Sequence, residues 1–350
     1  METSKLALLA FSVIFSLSAA APEKLKNNQC PLYQCKQDHQ NFVDNTCVFY
    51  TPTVTQPTYY VTSCSKRNPH CQAPVQRNST CEGNPPSPPV NAWPGEKCSS
   101  SSQCSNHAKN GCVNSVCVGS LNGEACFTSD DCNPGLRCFN QQCVPQIHIG
   151  GTGCTSDYDC VNGSGCNLAS TPANSICFPY FSISNHLPVG YCSPTNSSML
   201  CNSGLCMEYD GVYECMSQVS TAKKIPQQCS VDADCMSTRD DYFEYGQLMG
   251  SCLCGYNPSG NSYCTLFPGD EPAKQSSQYL IQWIQSSSIN NCNTMRRFTG
   301  QCMSDWWNSK LNRAWNYFSL NAIYYPQLQG ALDCVQPVFL APWYQAKEAY

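Results

Sequence analysis

The sequence predicts small disulfide-rich modules, made of short β-hairpins and turns in tandem, followed by a small aromatic-rich α-helical C-terminal region. Three observations carry this. Cys98, Cys126 and Cys154 recur with a stride of 28 residues, and a fixed period of this length marks a modular array. Each is followed six residues later by a second cysteine, Cys104, Cys132 and Cys160, and the same step returns at Cys229 and Cys235. Thirty cysteines in 350 residues is also the density of chains whose modules bury too little apolar surface to fold without disulfides.

The elements follow in order. Residues 1–20 read as a signal peptide: Lys5, an uninterrupted apolar and small run, and Ser18-Ala19-Ala20 as the cleavage pattern. No second apolar stretch reaches spanning length, so no transmembrane segment is expected after cleavage. Residues 21–81 form a block of six cysteines. Its run 47–64 is rich in Thr, Tyr and Val, as strands are, with Pro52 and Pro57 confining those strands to edges. Residues 82–94 are a Pro-rich linker of extended, semi-rigid chain.

Four blocks of four cysteines come next, at 95–120, 121–147, 148–180 and 181–222. Gly95, Gly123 and Gly151 stand three residues before the opening cysteines, where a turn with positive φ is expected. Each module reads as two turns and a hairpin around two crossed disulfides, with the connectivity left open by the spacing. The last region, 223–350, holds a fifth module and the aromatic segment. Five cysteines at 229–264 and three beyond (Cys292, Cys302, Cys334) are both odd, so a disulfide is expected to tether the C-terminal region to the fifth module. A helix is expected over 271–287, and Trp307, Leu311, Ala314, Trp315 and Phe318 make a second helical stripe.

The disulfide partners expected on this reading include Cys98, Cys104, Cys112, Cys117, Cys126, Cys132, Cys138, Cys143, Cys154, Cys160, Cys166, Cys177, Cys229, Cys235, Cys292, Cys302 and Cys334. Sequons at Asn78, Asn162 and Asn196 are candidate glycan acceptors in a secreted chain. Trp306, Trp307, Trp315 and Trp343 are the candidate interface, because Trp anchors protein contacts well.

The block at 123–144 resembles the cysteine-rich repeats grouped as Dickkopf N-terminal-like or EB-module-like. The resemblance rests on G-E-x-C ending at Cys126, Asp131-Cys132, G-L-x-C ending at Cys138, and Cys143. It extends over about 95–264, although Gln103 replaces the acid in the first module and the fourth module opens with a nine-residue step. The layout is also similar to secreted protist surface proteins with such repeats and an aromatic-rich tail. The resemblance implies an extracellular, non-catalytic module. It does not carry over Dickkopf signalling, because no second Dickkopf-type domain is recognisable.

Rival chemistries fare worse. Structural zinc prefers C-x2-4-C pairs, and the commonest step here is C-x5-C. The acids at Asp130-Asp131, Asp157, Asp159, Asp232 and Asp234 read as caps of their own turns rather than a calcium shell. Five scattered histidines and the absence of G-x-S-x-G, H-E-x-x-H or a phosphate loop give no catalytic constellation, so no catalytic, cofactor or metal residue is assigned. A net charge of −5 without a basic run disfavours nucleic acid and anionic membranes. The expected role is a non-enzymatic structural or adhesive component of an extracellular assembly, working through protein partners or self-association. A secreted ligand or receptor-binding antagonist of Dickkopf-like type is the alternative, and a protease inhibitor a further one.

Overall fold

The computed structural model describes residues 30, 32–35, 46–51, 58–63, 91–169, 171–193, 198–238 and 247–330. The expected leader, Asn78, Asn196, Cys334 and Trp343 lie outside the described residues.

The chain is a disulfide-rich tandem array. Modules one to four each contain an antiparallel hairpin: β4 (Cys112–Val113) with β5 (Val116–Cys117), β6 (Leu136–Phe139) with β7 (Gln142–Pro145), β8 (Ser164–Asn167) with β9 (Ile176–Pro179), and β10 (Cys206–Tyr209) with β11 (Val212–Cys215). The tightest turns place two residues in the left-handed region, Asn114 and Ser115, Asn140 and Gln141, or Asp210 and Gly211. That is the turn whose twist matches the strands it joins, and Asn, Asp and Gly enter it most easily.

Between the first two cysteines of a module lies a single 3-10 turn: Ser101–Gln103, Ser129–Asp131, Asp157–Asp159, and in module five Asp232–Asp234. Two side-chain acceptors fix it the same way each time. The residue three beyond the opening cysteine takes the N–H of the third: Cys112 to Ser101 Oγ, Cys138 to Ser129 Oγ, Cys166 to Asp157 Oδ1 and Cys252 to Asp232 Oδ1, at 3.0, 3.0, 2.8 and 2.6 Å. The residue five beyond takes the N–H that follows the opening cysteine: Ser99 to Gln103, Phe127 to Asp131, Thr155 to Asp159 and Ser230 to Asp234, each at 2.7 Å. Gln103 therefore does the work of the missing acid with its amide oxygen.

Every module pairs its first cysteine with its third and its second with its last, as in Cys98–Cys112 and Cys104–Cys117, Cys126–Cys138 and Cys132–Cys143, or Cys154–Cys166 and Cys160–Cys177. Cys192–Cys206 with Cys201–Cys215, and Cys229–Cys252 with Cys235–Cys264, keep the rule despite their altered spacing. The buried centre of a module is mostly its own cystines. Closing loops of this size contributes roughly 3 kcal/mol per bridge in the chain-entropy model.

The chain divides into two compact units. The first contains Pro88–Gln218 and Gln278–Asn312, that is, modules one to four with part of the C-terminal region. The second contains Ser18–Ser87, Val219–Ser277 and Arg313–Tyr350. In the second, module five is a three-stranded sheet in which β14 (Ser262–Cys264) lies between β12 (Gln228–Cys229) and β13 (Cys252–Cys254). The helices are α1 (Glu271–Gln285), α2 (Gly300–Trp306) and α3 (Ser309–Tyr324), so both expected helices form close to their expected bounds.

Three expectations need correction. The fifth module is not tethered to Cys292 or Cys302: those two pair with each other, and the odd cysteine of the module, Cys254, pairs with Cys30. Parity counted the thiols correctly but could not say which distant segment supplies the partner. Residues 278–312 fall in the first unit together with modules one to four. In the N-terminal block, β3 (Thr58–Ser63) is the middle strand, flanked by β1 (Leu32–Cys35) and β2 (Thr46–Thr51). Pro52 and Pro57 lie outside the described residues. Finally, Gly95 and Gly123 have φ of 92° and 85°, whereas in module three positive φ falls on Gly150 and Gly153 instead of Gly151.

Candidate functional site

The described residues converge most densely in the first unit, where the disulfide-closed loop Cys292–Cys302 lies against modules one to three. A 3-10 turn of three residues leaves carbonyls with no following N–H to bond. Modules two and three carry such turns 28 residues apart, and adjacent loop residues reach one each. Asn293 Nδ2 donates to the carbonyls of Ser129 at 2.8 Å and Cys132 at 2.6 Å. Thr294 Oγ1 donates to the carbonyl of Tyr158 at 2.9 Å, and Arg297 Nη2 to that of Asp157 at 3.0 Å. The repeat period thus sets out two equivalent acceptor clusters, and Asn293-Thr294 spans the step between them.

Module one is held by the end of α2, just beyond the loop. Trp306 Nε1 donates to the Gly95 carbonyl at 2.7 Å, Lys97 N–H donates to Asp305 Oδ2 at 2.8 Å, and the Lys97 ammonium sits 5.0 Å from the Trp306 ring centre. A Cβ on Gly95 would stand 2.3 Å from the Asn291 carbonyl oxygen, whereas one on Gly123 would meet nothing within 4 Å. Both glycines serve the turn; only Gly95 also admits the loop.

Arg296 bonds Asp130 Oδ1 at 3.2 Å and lies 3.4 Å over the Trp93 ring, whose other neighbour is the stacked His107. Arg297 is 1 % exposed. Its guanidinium donates to Thr294 Oγ1 and to the Tyr180 hydroxyl, among the rings of Tyr158, Tyr180 and Phe298. Burial of this kind is costly unless the donors are matched and the charge is answered; the Nη donors are matched here, while Nε has no hydrogen-bond partner among the described residues.

The local field follows from burial. Loss of water raises the Glu96 carboxyl to about 7, with Asp305 adding to the rise while the Trp93 N–H and Arg296 oppose it. Burial also raises Asp130, against the pull of Arg296 and His107. Asp131 and Asp159 go the other way: burial pushes them up, but the N–H groups of Phe127 and Thr155 and partners His107 and Arg137 outweigh it and hold both below the ordinary value.

The candidate aromatic interface is largely spent inside the chain. Trp307 is buried against Trp283, Trp315 is buried, and Trp306 is half-buried on module one. These three do not form an open aromatic face. Trp283 Nε1, on α1, donates to the Arg297 carbonyl at 2.8 Å, so α1 supports the loop. Of the sequons, Asn162 is 1 % exposed and its Nδ2 donates to the carbonyls of Ile289 and Cys292 at 2.8 and 2.7 Å. A glycan on this nitrogen is incompatible with these two hydrogen bonds. Sequence reasoning passed over Asn293, Arg296 and Arg297, although N-C-N-T-M-R-R-F carries adjacent arginines in a chain only 12 % charged.

Among the described residues no cysteine is free. Clusters such as Cys126, Cys132 and Cys143 bring three sulfurs within 4.8 Å, but each is in a disulfide and offers no thiolate. What the site does chemically is recognise backbone: fixed amide, hydroxyl and guanidinium donors matched to carbonyls at the module turns. Among the described residues no helix is long and apolar enough to cross a membrane.

No family model matches the chain, and no solved structure matches it. Among curated proteins it is similar to the Prion-like-(Q/N-rich) domain-bearing protein 25 of Caenorhabditis elegans, 29 % identical over 150 residues, which is 41 % of this chain. The matched stretch spans 20 % of that relative's length.

Proposed function

We propose that the protein is a secreted, non-enzymatic structural or adhesive component of an extracellular assembly, acting through protein partners or copies of itself. The observation that carries this reading is the construction of the first unit, in which cystine-centred modules are fastened to one another by a loop from far along the chain. Such a body needs an oxidising compartment and offers persistent shape rather than a reaction centre. The resemblance to extracellular cysteine-rich repeats points the same way. Native, non-reduced protein examined by size-exclusion chromatography with light scattering is expected to form species larger than a monomer. A monodisperse monomer at all concentrations would overturn the assembly reading.

A second reading, a secreted binding antagonist of Dickkopf-like type, is favoured by Phe127. This side chain is 92 % exposed beside the Cys126–Cys138 bridge, and Phe139 on the other side of that bridge is 47 % exposed. A large apolar side chain so placed on a fixed frame suits an anchor for a partner's pocket. On this reading the chain is a monomer and Phe127→Ser abolishes binding to its receptor.

A further inference from the structure

The sequon Asn162-Gly163-Ser164 sits where a glycan and the fold compete for one atom. Asn162 Nδ2 carries two hydrogens, and both are used, toward Ile289 O at 2.8 Å and Cys292 O at 2.7 Å. Its Oδ1 accepts from Gln146 Nε2 at 3.3 Å. The third sequon residue, Ser164, is fully buried, with its hydroxyl donating to the Val161 carbonyl at 2.8 Å. An open groove of about 660 Å³ is lined by Val161 and Gly163 on either side, while Asn162 is left out of its lining. The amide faces the loop seat, where no sugar ring fits within 2.8 Å of a carbonyl oxygen.

The cover arrives late. Its two carbonyls lie 127 and 130 residues after Asn162 in the chain, so during synthesis the sequon emerges long before the turn that hides it. In glycan transfer the amide nitrogen loses one hydrogen as a proton and bonds the anomeric carbon of a lipid-pyrophosphate-linked oligosaccharide. The lipid pyrophosphate leaves with the electron pair of the broken C–O bond. One N–H then remains for two carbonyls, and the sugar occupies the position of the turn at 289–292.

We propose that Asn162 is a fold-gated glycan acceptor: its amide either seats the turn before the Cys292–Cys302 loop or carries an oligosaccharide, and never both. Glycosylation there is therefore a switch on loop docking, and a docked loop is a block to glycosylation. The encounter with the donor rests on the secretory reading above; the exclusion itself does not.

The test produces the full chain in a glycosylating eukaryotic cell behind a heterologous signal peptide, so that entry to the pathway does not depend on residues 1–20. Occupancy at Asn162 is read by glycopeptide mass spectrometry, and docking by hydrogen exchange over 289–302. The parent is compared with the double variant Cys292→Ser, Cys302→Ser, which frees the loop. Parent molecules protected over 289–302 are expected to be bare at Asn162, and the variant is expected to be at least several-fold more glycosylated than the parent. Any glycosylated molecules, separated on lectin, are expected to have lost that protection. Parent molecules with a glycan at Asn162 and full protection would overturn the proposal, and so would an unchanged bare Asn162 in a variant whose loop has lost protection. If instead the variant's loop stays protected, the addition of Asn293→Ala and Arg297→Ala frees it, and the same readings decide. Failure of the chain to be secreted with its own residues 1–20 would count against the function proposed above and not against this exclusion.

Discussion

Asp157 reaches Arg297 through the hydroxyl of Tyr180. The phenol donates to Asp157 Oδ2 at 3.0 Å and accepts from Arg297 Nη2, while Asp157 Oδ1 takes the Cys166 N–H. One carboxylate thus closes its own module and answers the charge of a residue 140 positions away. Burial, and then the charge of Asp157, hold the Tyr180 phenol well above its ordinary value despite the guanidinium, so it stays a donor at any ordinary pH.

Removing the link should be costly in an ordered way. Tyr180→Phe leaves one acceptor and one donor unmatched and is expected to destabilise by about 1–3 kcal/mol. Arg297→Met strands the Asp157 charge and removes the donor to the carbonyls of Asp157 and Ser164, so about 3–5 kcal/mol is expected. Urea unfolding with disulfides intact measures both. An Arg297→Met protein as stable as the parent would show that the guanidinium is incidental to docking.

The module caps should show a matching pH dependence. Asp131 and Asp159 are held below the ordinary value of 3.8, so their contribution is present above that value and is lost as pH falls through the folded value. Asp131→Ala and Asp159→Ala are each expected to cost about 1–3 kcal/mol at pH 7, with the difference from parent shrinking toward pH 2. Thermal melts from pH 2 to 7 provide the check, and a constant difference across that range would contradict the argument.

Glu96 should act in the opposite sense. Its folded value of about 7 lies above the ordinary 4.5, so between those values the folded chain holds a proton that the unfolded chain releases. Stability from this group is full below pH 4.5, falls as pH rises to about 7, and is then level. Glu96→Gln keeps an acceptor for the Trp93 N–H and is expected to match the parent at pH 4.5. At pH 8 it should exceed the parent by up to about 3 kcal/mol. Equal stabilities at pH 8 would show that the ionised carboxylate is accommodated.

Counting also predicts one unseen bridge. Among the described residues, twelve disulfides use twenty-four of the thirty cysteines. The remainder are Cys35, Cys47, Cys64, Cys71, Cys81 and Cys334. Five in the N-terminal block cannot close among themselves, so full oxidation requires Cys334 to pair with one of them. Non-reduced peptide mapping should find that bridge; a free thiol at Cys334 would contradict it.

Much of this protein was legible before any coordinates. The 28-residue stride and the six-residue step announced the modules, the acids before the second cysteine announced their caps, and the stripe from Trp307 to Phe318 announced a helix. These are local matters: turn chemistry and helical periodicity are written within a few residues of where they act, and a repeat displays them several times over. Gln103 shows how far this reaches, since an amide oxygen at the same offset accepts the same bond.

Modules, caps and helices are thus local products of the chain, whereas what the modules hold depends on how distant segments pack. That Cys254 joins Cys30, that Trp307 and Trp315 turn inward, and that Asn162 is a buried donor are all contacts across long stretches of chain. No periodicity records them. A sequon or a tryptophan reads identically whether its side chain ends in solvent or against a carbonyl, because what differs is the arrival of another segment, set by packing of the whole unit.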